Sequence, residues 1–183
     1  MYIDTLYDLL LAKNQSKNPP KLDIKDYING LIFIQGATIR PITSVLEAQK
    51  IFEEGFKMRQ TGKTLMNENS SRSHLIFSMM IETFNQYSKV RTNSKLSFVD
   101  LAGSERVNKA GVQDETQFKQ LRTINKSLTS LGDVISCLSE SKSSSFVPYR
   151  NNKLTMLMKD SIGGNSKTLM FANISPEIGR AHV

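Results

Sequence analysis

Apolar residues recur along this chain with two different periods, and those periods divide it into elements. Leu22 to Ile34 reads as a β-hairpin, with Asn29-Gly30 supplying the positive φ angles of a tight turn. Ser44 to Arg59 reads as a helix: Ser44 and Glu47 have capping-box spacing, and Val45, Ala48, Phe52 and Phe56 recur on one face. Leu75, Phe77, Met79 and Ile81 alternate with other side chains and predict a strand; Lys95 to Val99 predicts a second, ending at Asp100. A longer helix follows from about Thr116 to Glu140. Another helix, about Asn152 to Ile162, stops at Gly163-Gly164, and Lys167 to Ile174 reads as a buried strand. The polar stretches Lys13 to Pro20 and Ser139 to Ser145 read as surface loops. Strands mixed with helices predict an α/β sheet protein.

Composition narrows the picture. A chain of 183 residues with 39% hydrophobic and 22% charged residues can build one packed domain and is not a disordered polymer. Its longest apolar runs, such as Leu31 to Ile34, fall far short of the roughly 18 residues that announce a membrane helix. Met1 to Asp4 lacks the basic and apolar regions of a secretory signal, so a soluble, cytosolic chain is expected. The single cysteine, Cys137, excludes an intramolecular disulfide, and two histidines leave little for zinc. A net charge of +7 either solvates the surface or prepares it for an anionic partner.

Four segments bear on chemistry. Thr61-Gly62-Lys63-Thr64 ends like a phosphate-binding P-loop, but Lys57 stands where that loop requires its first glycine, so it is not one. In Leu96 to Glu105 an apolar strand delivers Asp100 at its C-terminal end, and Gly103 follows three residues later. Many nucleoside triphosphatases use such a pair, the carboxylate orienting hydrated Mg²⁺ and the glycine amide meeting a γ-phosphate; the same spacing also describes an ordinary strand exit. Asn67 to His74 packs hydroxyls with an arginine and a histidine, suited to phosphate or Mg²⁺ or to a plain turn. On residue types alone Ser73, His74 and Asp100 also allow a serine-hydrolase reading, without a Gly-x-Ser-x-Gly elbow. In the long helix Leu121, Ile124, Leu128, Leu131, Ile135 and Leu138 form one apolar stripe, and Lys119, Arg122 and Lys126 fall on roughly the opposite face. With Arg150, Lys153 and Lys159 after it, that face is either solvated or a docking ridge for an acidic polymer.

Together these segments resemble the C-terminal part of a kinesin motor domain. Asn67 to His74 is similar to the family's switch I, Asp-Leu-Ala-Gly-Ser-Glu at 100–105 to switch II, and Ile124 to Leu128 with Val147 to Arg150 and Lys153 to Thr155 to the microtubule-facing helix and loop. The run from Tyr149 to Phe171 is most similar to the minus-end-directed class with a C-terminal motor, particularly its calmodulin-binding members. The resemblance implies a P-loop NTPase-like α/β fold, a central mixed β-sheet flanked by helices. It implies ATP and Mg²⁺ as cofactors: Ser70 lining the γ-phosphate, Ser71 and Asp100 holding the hydrated metal, and the Gly103 amide touching the γ-phosphate. Arg72 and Glu105 would pair to close the two switches, a fork that forms only when both loops approach. Arg122, Lys126, Arg150 and Lys153 would lie on tubulin.

Departures from the family pattern carry their own expectations. The P-loop and the strands before it are missing, and the chain begins inside the strand usually followed by an Asp-Leu-Leu sequence, here Asp8-Leu9-Leu10. Losing the P-loop strand would leave two core strands without their shared neighbour. Met156 replaces a usual Arg, Gln120 a usual Glu, and the segment from Gly111 to Thr123 is one residue longer than is usual in the family. Residues 1–176 are thus read as a partial motor domain, truncated at both ends, and 177–183 as a non-native tail. The parent protein is expected to be a microtubule-dependent ATPase motor in the cytoplasm, on the cytoskeleton. It is expected to be dimeric through a coiled coil and to meet calmodulin through regions outside this chain. No membrane partner is expected, and no aromatic-interleaved basic motif supports a nucleic-acid partner. The competing reading is a non-catalytic tubulin-binding module.

Overall fold

In the computed structural model the described residues are 1–11, 18–27, 30–61, 72–104, 115–140 and 146–173. The first predicted hairpin forms: β1 (Asp23–Asp26) pairs antiparallel with β2 (Ile32–Gln35), and Asp26 stands opposite Ile32. That register separates the strands by five positions, of which residues 28–29, with the Asn29 of the expected tight turn, lie outside the described residues. Tyr27 N–H donates to the Leu31 carbonyl at 2.7 Å and Gly30 N–H to the Tyr27 carbonyl at 2.8 Å. Gly30 takes φ +80°, the left-handed region in which a side chain would be strained.

Helix α1 (Val45–Thr61) starts as the capping residues predict. Ser44 Oγ accepts from Glu47 N–H at 3.2 Å, while the Glu47 carboxylate reaches past Ser44 to the amide and hydroxyl of Thr43, at 2.7 and 3.0 Å. Those hydrogen bonds, above all, hold the Glu47 pKa below the usual carboxylate range. Phe52 stacks on Phe56 and sets its edge on Phe77, which seats α1 against the following strand.

That strand, β3 (Leu75–Phe84), pairs antiparallel with β4 (Arg91–Asp100) over ten residues each, from Leu75 opposite Asp100 to Phe84 opposite Arg91. Both outrun the predicted alternation. At the far end Arg91 pairs with Glu82 and lies over the Phe84 ring, and Asn85 Oδ1 accepts the amides of Tyr87 and Ser88 to close the turn. Among the described residues the two hairpins are separate two-stranded sheets, with no parallel pairing between them. They are joined through side chains: Lys95 Nζ of β4 reaches Asp160 at 2.7 Å and the Ile32 carbonyl at 3.0 Å, and Asp160 accepts Ile32 N–H at 2.7 Å.

Helix α2 (Glu115–Ser139) buries Leu121, Ile124, Ser127, Ser130, Leu131 and Val134. The predicted stripe is therefore corrected at its end. Ile135 and Leu138 are 38% and 39% exposed, and Val134 is fully buried in their place. A rigid helix turning about 100° per residue drifts away from a strict 3.5-residue repeat, and the small Ser127 and Ser130 let the packed face follow that drift.

After a single 3-10 turn at Tyr149–Asn151, the predicted helix 152–162 appears as α3 (Lys153–Leu157) and α4 (Lys159–Ile162), nicked at Met158. Asn152 caps it by accepting Leu154 N–H at 2.9 Å. Leu131, Leu154 and Met158 make the core, flanked by Ile76, Val99, Leu101, Leu128 and Ile162, so α2, α3 and the base of the β3–β4 hairpin share one interior.

Lys167 to Ile174 does not behave as a buried strand. Residues 167–173 pair with no strand among the described residues, and Leu169, Met170 and Phe171 are 76%, 63% and 79% exposed. Strand geometry needs a neighbour to satisfy its edge, and none stands beside it here. Among the described residues no helix is long and apolar enough to cross a membrane.

Candidate functional site

The β3–β4 register assembles the site. Because Leu75 faces Asp100, the residues leading into β3 and those leaving β4 emerge at the same end of the hairpin. Two segments separated by some 25 positions in the sequence thus meet through backbone pairing alone. Asn67 to Ser71, with the expected Ser70 and Ser71, lie outside the described residues, as do Glu105, residues 62–64 and the tail 177–183. Arg72, His74, Asp100 and Gly103 are placed, and the first three stand at this end of the hairpin with Ala102.

Asp100 does not face solvent unaccompanied. Arg59, from the last turn of α1, sets Nη1 on its carboxylate at 2.6 Å. The same guanidinium donates from Nε to Ser73 Oγ at 3.2 Å and from Nη2 to the Ser73 carbonyl at 2.9 Å. Arg59 is largely buried by this, while the Asp100 side chain stays 64% exposed. A planar fork can hold the two segments in register as a lysine could not. Arg59 entered the sequence reading only as the end of a helix. The signal was its spacing: Ile51, Gly55 and Arg59 repeat every four positions on the inward face, just before the hydroxyl-rich segment.

His74 is 2% exposed. Ala102 N–H donates to its Nδ1 at 3.1 Å, and its Nε2 stands 2.9 Å from Ser127 Oγ in α2. Burial, then the N-terminal amine and Arg59, push its pKa down to about 4 against the opposing pull of Asp100. The serine-hydrolase reading falls on this geometry: both imidazole nitrogens are engaged elsewhere, and Ser73 and Asp100 each meet Arg59 instead.

Arg72 is 8% exposed, and its buried Nε has no hydrogen-bond partner among the described residues. A buried donor left unmatched marks a place where an acceptor is wanted. Among the described residues no three His, Cys, Asp or Glu side chains converge as a metal cage. A carboxylate that is largely exposed although Arg59 holds one of its oxygens suits a cation that keeps most of its water, as Mg²⁺ does.

The basic residues divide. Arg122 and Lys126 are exposed on α2, away from its buried face, with Lys119 paired to Glu115 at 2.8 Å. Arg150 is exposed and lines a cavity of about 310 Å³ between the β1–β2 hairpin and residues 146–159, together with Ile24, Ile32 and Met156. Lys153 reaches back to the Asp4 carbonyl at 2.7 Å, and Lys159 pairs with Asp26 at 2.8 Å.

Comparison with known proteins meets this geometry from outside. A family model described as the kinesin motor domain matches residues 1–182. The chain is 51% identical over 176 residues to a kinesin-like protein of Arabidopsis thaliana, KIN-14E, covering 96% of this chain and 14% of that relative. It is 44% identical over 185 residues to kinesin-related protein 2 of Dictyostelium discoideum, 97% of this chain and 23% of the relative. The chain therefore spans a minor part of the length of these relatives. Among solved structures, the motor domain of the Saccharomyces cerevisiae kinesin-related protein KAR3 superimposes with a TM-score of 0.77 at 36% identity, over 96% of this chain and 51% of that one. The motor domain of a Kar3-like kinesin from Ashbya gossypii does so with a TM-score of 0.74 at 34% identity, over 95% and 49%. Its α/β fold is that of these motors, and with at least 95% of its length matched in sequence and shape, the chain belongs to the kinesin motor-domain family.

Proposed function

We propose that this chain is the switch-bearing part of a microtubule-dependent motor ATPase. The observation that carries the reading is the meeting of Arg72 to His74 with Asp100 to Gly103 at one end of the β3–β4 hairpin, tied to α2 through His74. Loops that must detect a terminal phosphoryl group need to lie side by side, and a helix that reports the result must touch them.

In this reading Ser70 lines the γ-phosphate, Ser71 and Asp100 hold hydrated Mg²⁺, and the Gly103 amide contacts the γ-phosphate. When bound, Mg²⁺ would supply positive charge that offsets the charge of the phosphates. Asp100 suits an outer position, since Arg59 holds its carboxylate in place while leaving it open to solvent. Arg72 and Glu105 close the switches. The unmatched Nε of Arg72 supports that pairing, because a carboxylate brought to it would relieve a buried donor. Arg122, Lys126, Arg150 and Lys153 form the tubulin-facing side, three of them exposed and free to meet acidic side chains, Lys153 after releasing Asp4. Residues 1–176 act as part of a motor domain. Calmodulin binding, dimerisation and minus-end direction belong in this reading to segments outside the chain, and the protein works in the cytoplasm on microtubules.

Arg72→Ala in the complete protein is the test. Microtubule-stimulated ATP turnover is expected to fall by at least about a hundredfold, as for loss of a charged group used only in the closed state. Undiminished stimulated turnover refutes the gating role.

A further inference from the structure

One buried imidazole connects three elements, and its hydrogen bonds have a fixed direction. Ala102 can only donate, so His74 Nδ1 accepts and carries no proton. The proton therefore sits on Nε2, which donates to Ser127 Oγ at 2.9 Å. The Ser127 hydroxyl in turn donates to the Ile124 carbonyl at 2.6 Å, within α2. His74, Ala102 and Ser127 are 2%, 5% and 0% exposed, so water has no room to replace any link.

We propose that His74 is a positioning residue that transmits the state of the Asp100–Ser104 loop to helix α2, a role that rests on the motor reading above. Ala102 immediately precedes Gly103, the residue assigned to the γ-phosphate, so a displacement of the loop backbone that carries Gly103 and the Ala102 Cα also carries the Ala102 N–H, one peptide upstream. The His74 backbone is held at the entry to β3 by hydrogen bonds with Met1, at 2.7 and 2.8 Å. A shift of the loop must then either draw Ser127 with it or break a buried hydrogen bond, and interiors resist the second outcome. Ser127 follows Lys126 directly, so the same stretch of α2 presents an exposed cation on one side and the imidazole's partner on the other. Arg59 and Asp100, the charged side chains facing the ring, belong to α1 and β4, and the neutral ring persists between them because burial disfavours its cation.

The complete protein is assayed for ATP turnover with and without microtubules, unmutated and as Ser127→Ala, Ser127→Thr and His74→Asn. Ser127→Ala is expected to lower maximal stimulated turnover about tenfold, the rate equivalent of one buried hydrogen bond, with basal turnover kept within about twofold. Ser127→Thr, which retains the hydroxyl, restores it. His74→Asn places Oδ1 where Nδ1 stands, keeps the Ala102 bond and cuts only the link to α2, so it must reproduce the loss even if Ser127→Ala unfolds. Stimulated turnover within about twofold of the unmutated protein in both variants overturns the proposal. So does an equal fall in basal and stimulated rates, which marks a merely structural role. An unmutated protein that microtubules do not stimulate sinks the motor reading itself, an outcome visible before any variant is compared.

Discussion

Arg59 and Arg72 stand at the same end of one hairpin and have different fates. Arg59 spends its guanidinium on Asp100 and Ser73, whereas Arg72 is equally buried and keeps an unmatched Nε. The first arrangement suits a fixed strut and the second a contact still to be made. His74 between them refuses a proton. Its pKa is lowered from 6.5 to about 4, so on acidification the unfolded chain binds a proton that the folded chain does not. Stability is therefore complete above the unfolded value and drains as the pH falls through that window, by roughly 1 kcal/mol per pH unit. Urea unfolding between pH 8 and 4 should show this slope. His74→Gln should remove its lower part, and a slope unchanged by the substitution contradicts a neutral buried imidazole.

At the scale of elements, the tie between Lys95, Asp160 and Ile32 decides how the β1–β2 hairpin is held. Lys95 and Asp160 side chains are 10% and 3% exposed, so neither charge has water to fall back on. Asp160→Ala should cost about 3–5 kcal/mol, and Lys95→Ala a similar amount, because each leaves the other charge buried and unpaired. The double variant should cost less than the sum, as measured by unfolding in a double-mutant cycle; strict additivity would show that the two do not interact. Nothing in the sequence announces this pair, since its members lie 65 positions apart on elements whose packing is not encoded locally. Local signals were legible: the Ser44 cap and the β3 strand appear where the residues place them, and a helical turn starts just after Asn152 as expected. What failed depended on neighbours. The face of α2 shifted to Val134 because its partners decide which stripe is buried, and residues 167–173 form no strand because nothing among the described residues pairs with them.

Across the whole molecule, the site divides into parts legible for different reasons. Asp100 and Gly103 were visible as a strand exit, and Arg122 and Lys126 as the outward side of an amphipathic helix; Arg59 and the His74–Ser127 link were not, because they exist only once three elements pack. Much apolar surface stays uncovered, including Met80, Phe84 and Phe98 on the long hairpin and Leu169 and Phe171 beyond α4. Patches of this kind seek a partner surface. The chain covers 51% of the KAR3 motor domain it superimposes on. On the proposed motor reading, function at this scale is a link between phosphate detection at one end of the β3–β4 hairpin and the basic side of α2. Pelleting of the complete protein with microtubules, in a non-hydrolysable ATP analogue and in ADP, reads that link directly. The bound fraction should differ between the two nucleotides by at least about fivefold in affinity, within the usual range of coupling between sites. Equal pelleting in both, weakened only by salt, would mean that a basic surface binds tubulin without consulting the nucleotide at all.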